Sequence, residues 1–135
     1  MVRQALDDGQ VVTLLVGLGL ELNRVHHEGR AYGPVHPTHV RIDAHGRPHL
    51  ADVQPPPGWT PHDDWVALLR LGRHLGASAR AKTLSWESAG CREGAGLVTW
   101  LMGWAAPEPL SVGGLAAAGV VSPARARDER RAARP

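Results

Sequence analysis

The chain has 135 residues, 43% hydrophobic and 21% charged, which bounds it at one modest domain of ordinary globular composition. Its single cysteine, Cys91, excludes an intrachain disulfide framework, and its longest apolar run, 11–20, is interrupted by Thr13, Gly17 and Gly19 and falls far short of a bilayer span. The formal charge of +2 is uneven: in 122–135, Arg125, Arg127, Arg130, Arg131 and Arg134 stand against Asp128 and Glu129 for +3, leaving −1 on the rest, so the basicity does not mark a nucleic-acid-binding body.

Asp7-Asp8-Gly9-Gln10 reads as a turn and helix start, because carboxylates are favoured at the positive end of a helix. From there Val11, Leu15, Leu18, Leu22 and Val25 recur at helical spacing, with Gln10, Thr13, Gly17, Glu21, Arg24 and Glu28 toward the other face. Gly29 closes the helix as a left-handed cap. Residues 31–35 and 40–43 read as strands on either side of Pro37. Asp43-Ala44-His45-Gly46 reads as a turn, and 49–52 as a further short strand.

Pro55-Pro56-Pro57-Gly58 can continue neither a helix nor a central strand and is a stiff connector. Thr60 to Asp64 offers a helix N-cap. The helix 65–75 is apolar nearly all round and is expected to be buried on several sides, with Arg70 and Arg73 as its narrow polar edge. Residues 76–96 carry only weak periodicity. A helix resumes at Leu97, with Leu97, Trp100, Leu101 and Trp104 on one face, and Pro107-Glu108-Pro109 breaks it. A last short helix is expected over 115–121. The fold class is therefore α+β, mostly α, with a domain over 1–121 and a basic tail, expected to be disordered, over 122–135. Trp65, Trp100 and Trp104 are expected in the core, and Cys91, lacking a nearby base, as a small buried or inert residue.

Tyr32-Gly-Pro-Val-His-Pro-Thr-His-Val40 and the following Arg41-Ile-Asp-Ala-His-Gly-Arg-Pro-His-Leu-Ala-Asp52 resemble the catalytic loop and metal-binding segment of protein kinases. Bacterial kinases commonly read H-G-D-L-K-P-x-N-V there, then a strand, a D-x-x-G turn, a second strand and D-F-G. The shared frame is Gly33, Pro37, Val40, the turn from Asp43 to Gly46, and Leu50-Ala51-Asp52. The preceding Leu22-Asn-Arg-Val-His-His-Glu-Gly29 is similar to the L-H-x-x-G end of the helix before that loop. Asp64-Trp-Val-Ala-Leu68 is similar to the D-V-x-A-L start of the buried central helix. Leu101-Met-Gly-Trp-Ala-Ala-Pro-Glu-Pro109 resembles the late segment before D-P-x-x-R-P. Over residues 5–120 the resemblance implies a divergent bacterial pseudokinase: an isolated kinase C-terminal lobe built from a helix, a catalytic-loop hairpin, a buried central helix and C-terminal helices, without the N-terminal lobe.

The departures from that pattern imply lost catalysis. Pro34 stands where the catalytic Asp would orient the substrate hydroxyl and has no side-chain acceptor. His36 replaces the γ-phosphate lysine. His39 replaces the second magnesium ligand, and imidazole suits that hard cation poorly. Asp52 keeps the carboxylate of D-F-G, but Val53-Gln54 follows it. Only 11 residues separate Asp52 from Asp64, too few for a normal activation segment, and no glycine-rich loop or ATP-pairing lysine precedes the helix. Asp64 is implied to be structural, capping the central helix and accepting backbone hydrogen bonds from the loop, with an ordinary helix cap as the alternative.

The expectation is a catalytically inactive scaffold or binding protein, not an enzyme, cytoplasmic, with no cofactor. Its partner is a protein or a second copy of itself, met at a face around Tyr32, Val53 and Trp59. Two alternatives stand beside it: a residual nucleotide-binding phosphotransferase half completed by another chain, supported by Asp52, and a metal-binding module drawn from His36, His39, His45 and His49. Against a metal, no familiar ligand spacing occurs and Pro37 forbids a regular helix through His36 and His39. The arginine tail is a candidate arm for an acidic partner; neither membrane nor nucleic acid is expected as a partner.

Overall fold

Helix α1, Asp8–His27, forms the spine of the protein in a computed structural model that describes residues 4–120. Asp7 starts it with a reciprocal capping box: its side chain accepts the N–H of Gln10, whose side chain accepts the N–H of Asp7. Val11, Leu15, Leu18 and Leu22 are fully buried, as their spacing predicts. Val12 and Leu14 are buried too, so the apolar face is wider than one stripe. The reason is that α1 has neighbours on several sides: α2 (Pro61–Leu75), α3 (Gly94–Trp104) and the second strand of a hairpin.

That hairpin pairs β1 (Val40–Ile42) with β2 (Pro48–Leu50), antiparallel, with Val40 opposite Leu50 and Ile42 opposite Pro48. Asp43 holds the connecting turn, its Oδ1 accepting the N–H groups of His45 at 2.8 Å and Arg47 at 3.0 Å. The strand expected over 31–35 does not form. Residues 30–36 are irregular, because Tyr32 and Gly33 spend their N–H groups on a side chain, Asp64, instead of a ladder. A 3₁₀ turn follows at Pro37–His39.

Helix α2 begins four residues before the expected start, because Pro61 supplies a pre-set first helical position and Thr60 is the N-cap, in a capping box with Asp63. Trp65, Leu68, Leu69, Leu71 and Leu75 are buried, while Arg70 and Arg73 are exposed. Gly72 lets α2 approach α1: a Cβ there would lie 2.6 Å from Cδ1 of Leu15. The stretch with weak periodicity folds as turns around a 3₁₀ turn at Ala81–Thr83, and Leu84 and Ala89 plug it into the core.

Three expectations need correction. Cys91 is exposed, at φ 54° in a turn, because the turn geometry and not the apolar environment fixes it. Trp100 and Trp104 are only half-buried, because α3 lies at the edge of the domain with Leu97 and Leu101 facing inward; the guanidinium of Arg80 sits 5.0 Å from the Trp104 ring centroid. The last helix, α4, is Val112–Ala117, capped by Ser111, which takes the N–H of Gly114 and so starts the helix early. Val121 and the basic tail lie outside the described residues. The described residues are α+β and mostly helical, and none of their helices is long and apolar enough to cross a membrane.

Candidate functional site: the loop held by Asp64

Asp64 is the one charged residue on the buried side of the central helix, with no solvent exposure. It is not the helix cap, since Thr60, one turn earlier, is the N-cap, in a capping box with Asp63. Its carboxylate faces backward to the irregular loop. Oδ2 accepts the N–H of Tyr32 at 2.7 Å and Oδ1 that of Gly33 at 2.9 Å. Trp59 donates its indole N–H to Oδ1 at 2.7 Å, and Nε2 of His26 donates to Oδ2 at 2.6 Å. His26 is itself set edge-on to Trp65, ring centroids 5.2 Å apart. A buried carboxylate is tolerated when its lone pairs are filled in this way. One side chain thus ties the end of α1, the loop after it, the proline connector and α2 together.

Two backbone features make this possible. Gly33 has φ +120°, a conformation an L side chain resists, and it lets consecutive N–H groups turn toward one carboxylate. Pro56 to Trp59 form a turn closed by a 3.1 Å hydrogen bond, with Pro57 and Gly58 (φ +80°) in its centre, the residue pair that a type II turn requires. The turn reverses the connector and brings Trp59 back over Asp64.

The structure divides the candidate residues between two depressions. Tyr32, Asp52 and Val53 border a small one, about 190 Å³, together with Arg24, Glu28 and Arg30. Asp52 is exposed and makes no hydrogen bond to any described residue. Around it the charges are already matched: Arg24 pairs with Glu21 at 2.6 Å and Arg30 with Glu28, whose carboxyl is held below its usual range mainly by the hydrogen bond from Arg30. Tyr32 does not offer an exposed aromatic contact. It is 6% exposed, and its hydroxyl donates to the carbonyl of Ala51 at 2.6 Å, because the loop folds inward onto β2.

Pro34, His36 and Trp59 border the other depression, a groove of about 480 Å³ between the loop and α2. Arg70, Ala67, Leu71 and His74 form its helical wall. Sequence reasoning missed this wall, reading Arg70 only as a polar edge. The signal was present: 67, 70, 71 and 74 are spaced i, i+3, i+4, i+7 and so share one face of a helix. His39 turns away from the groove and places Nδ1 3.1 Å from the carbonyl of Pro34, an arrangement in which Nδ1 carries the proton.

The histidines considered for a metal do not converge. His36 and His39 have ring centroids 5.8 Å apart, while His49 lies between Asp43 (2.7 Å) and Glu21 (2.9 Å). No cluster of three or more His, Cys, Asp or Glu among the described residues is placed to hold a metal ion. No protein-family model, curated protein or solved structure matches the chain.

Proposed function

We propose that the chain is a catalytically inactive binding or scaffold protein of kinase C-lobe-like design, acting through protein–protein contacts at the groove beside the Asp64-held loop. The observation that carries this reading is the bonding of Asp64. A buried carboxylate with two consecutive backbone N–H groups on it fixes the loop's shape before any ligand arrives, and a pre-shaped loop lowers the ordering cost of binding. What that loop presents is Pro34, His36 and Pro37: ring surface and a donor, with no carboxylate for proton abstraction and no oxygen pair for magnesium.

Calorimetry with Mg-ATP at millimolar concentration tests the inactive half of this reading. No saturable heat is expected. Saturable, magnesium-dependent binding that disappears in Asp52→Ala would overturn it in favour of a phosphotransferase half.

A further inference from the structure

The groove between the loop and α2 has an uneven chemistry. Val35 and Leu71 form an apolar floor, and Pro34 and Pro37 add ring surface at the rim. Trp59 contributes its ring but not its donor, which is committed to Asp64 at 2.7 Å. Two polar side chains at the groove, Arg70 and His36, offer donors. Arg70 is exposed and forms no ion pair with any described residue, in contrast to Arg24 and Arg30, which are both paired. Nδ1 of His36 accepts the hydroxyl of Thr38 at 2.8 Å and its N–H at 3.3 Å, so the ring's proton sits on Nε2, which remains a donor. Among the described residues no acidic side chain borders the groove.

We propose that this groove docks an acidic segment of a partner protein, with the Arg70 guanidinium anchoring a carboxylate and the proline–tryptophan surface receiving the neighbouring apolar side chains. This rests on the binding-protein reading above and adds the chemistry of the partner. An unpaired guanidinium is suited to bidentate carboxylate recognition. The chain as a whole carries a formal +2, which adds long-range attraction of the same sign.

A nucleic acid is the less fitting occupant. A phosphate backbone needs a continuous cationic track. Here the next depression along α2, bordered by Arg70 and Arg73, also contains Glu87, and its His62 is engaged by Glu93 at 3.6 Å and by the Trp86 ring. The cationic side chains Arg70 and Arg73 are therefore interrupted by a carboxylate and do not form a continuous track along α2.

The test is to pan the full-length chain against a random dodecamer peptide library and measure the selected peptides by fluorescence anisotropy. Selected sequences are expected to be enriched in Asp and Glu. Their affinity should fall at least about tenfold in Arg70→Glu and change little in Arg73→Glu, which lies outside the groove; tenfold is the size of one modest charge-assisted contact. Unchanged thermal melts of both variants, at exposed positions, establish that folding is intact. Selection of neutral peptides whose binding survives Arg70→Glu but is blocked by Ala67→Tyr would overturn the acidic occupant while leaving the groove a binding site. Selection of no peptide sensitive to either variant overturns both readings. Tighter, Arg70-dependent binding of an oligothymidylate than of any selected peptide would overturn the proposal in favour of nucleic acid.

Discussion

The carboxylate of Asp64 receives the backbone N–H of Gly33 at 2.9 Å across 31 residues of chain, and through its other oxygen it receives the N–H of Tyr32 at 2.7 Å. A loop is held here by a side chain where a strand would have been held by a ladder. The loop's geometry therefore depends on one residue of a distant helix.

Asp64→Ala should be severe. It leaves the N–H groups of Tyr32 and Gly33 and the indole N–H of Trp59 without their acceptor, each buried unsatisfied donor costing about 1–3 kcal/mol. A total of roughly 3–5 kcal/mol is expected, reduced where water enters. Asp52→Ala, at an exposed and unbonded carboxylate, should stay within about 0.5 kcal/mol. Urea midpoints of the two variants decide this; equal losses would remove the scaffold role from Asp64.

His49 should give the protein a pH-dependent clamp. It joins Asp43 of the hairpin turn to Glu21 of α1, and its pKa is raised, first by the hydrogen bond with Asp43 and then by that with Glu21. Its contribution is complete below the unfolded value of about 6.5 and is lost as pH rises through the higher folded value. Asp43 works oppositely: held at about 2, mainly by the N–H of Arg47 and then by His49, it contributes above 3.8 and loses that contribution as pH falls toward 2. Thermal melts should show a plateau between those limits. His49→Gln should flatten the alkaline limb; an unchanged limb would show that His49 is not its source.

Gly17→Ala should destabilise, contrary to helix propensity, which favours Ala by about 1 kcal/mol. A Cβ at this position of α1 would collide with the ring of Pro48 on β2. Overpacking of this kind typically costs about 1–3 kcal/mol. Adding Pro48→Ala should restore part of the loss, so the pair should be non-additive in denaturant melts. Additive losses would place the clash elsewhere.

Glu108→Gln should raise the melting temperature at neutral pH. The pKa of Glu108 is raised, first by a hydrogen bond with Asp7 and then by repulsion from it. Its protonated form is thus the one the fold favours, fully present below the ordinary 4.5 and lost as pH rises through the folded value. Gln keeps the hydrogen bond without the charge. The gain should vanish near pH 4, and a gain of equal size at both pH values would exclude the carboxyl pair as its cause.

The local pieces were legible in the sequence. The spacing of Val11, Leu15, Leu18 and Leu22 fixed the buried face of α1, and the turn residues Asp43 to Gly46 fixed the hairpin, because 3.6-residue periodicity and turn chemistry act over a few neighbours. It also singled out Asp64 ahead of its surroundings. Tertiary structure alone decided the rest. Residues 31–35 have the composition of a strand, yet they form no ladder with any described strand, and a buried carboxylate takes the N–H groups of Tyr32 and Gly33. Tyr32 was expected at a contact surface and is in the core, because the loop turns inward to reach that carboxylate. The groove was illegible for the same reason: Pro34 and Arg70 are far apart along the chain. Only the docking of the loop on α2 brings a proline rim and an unpaired guanidinium to one place.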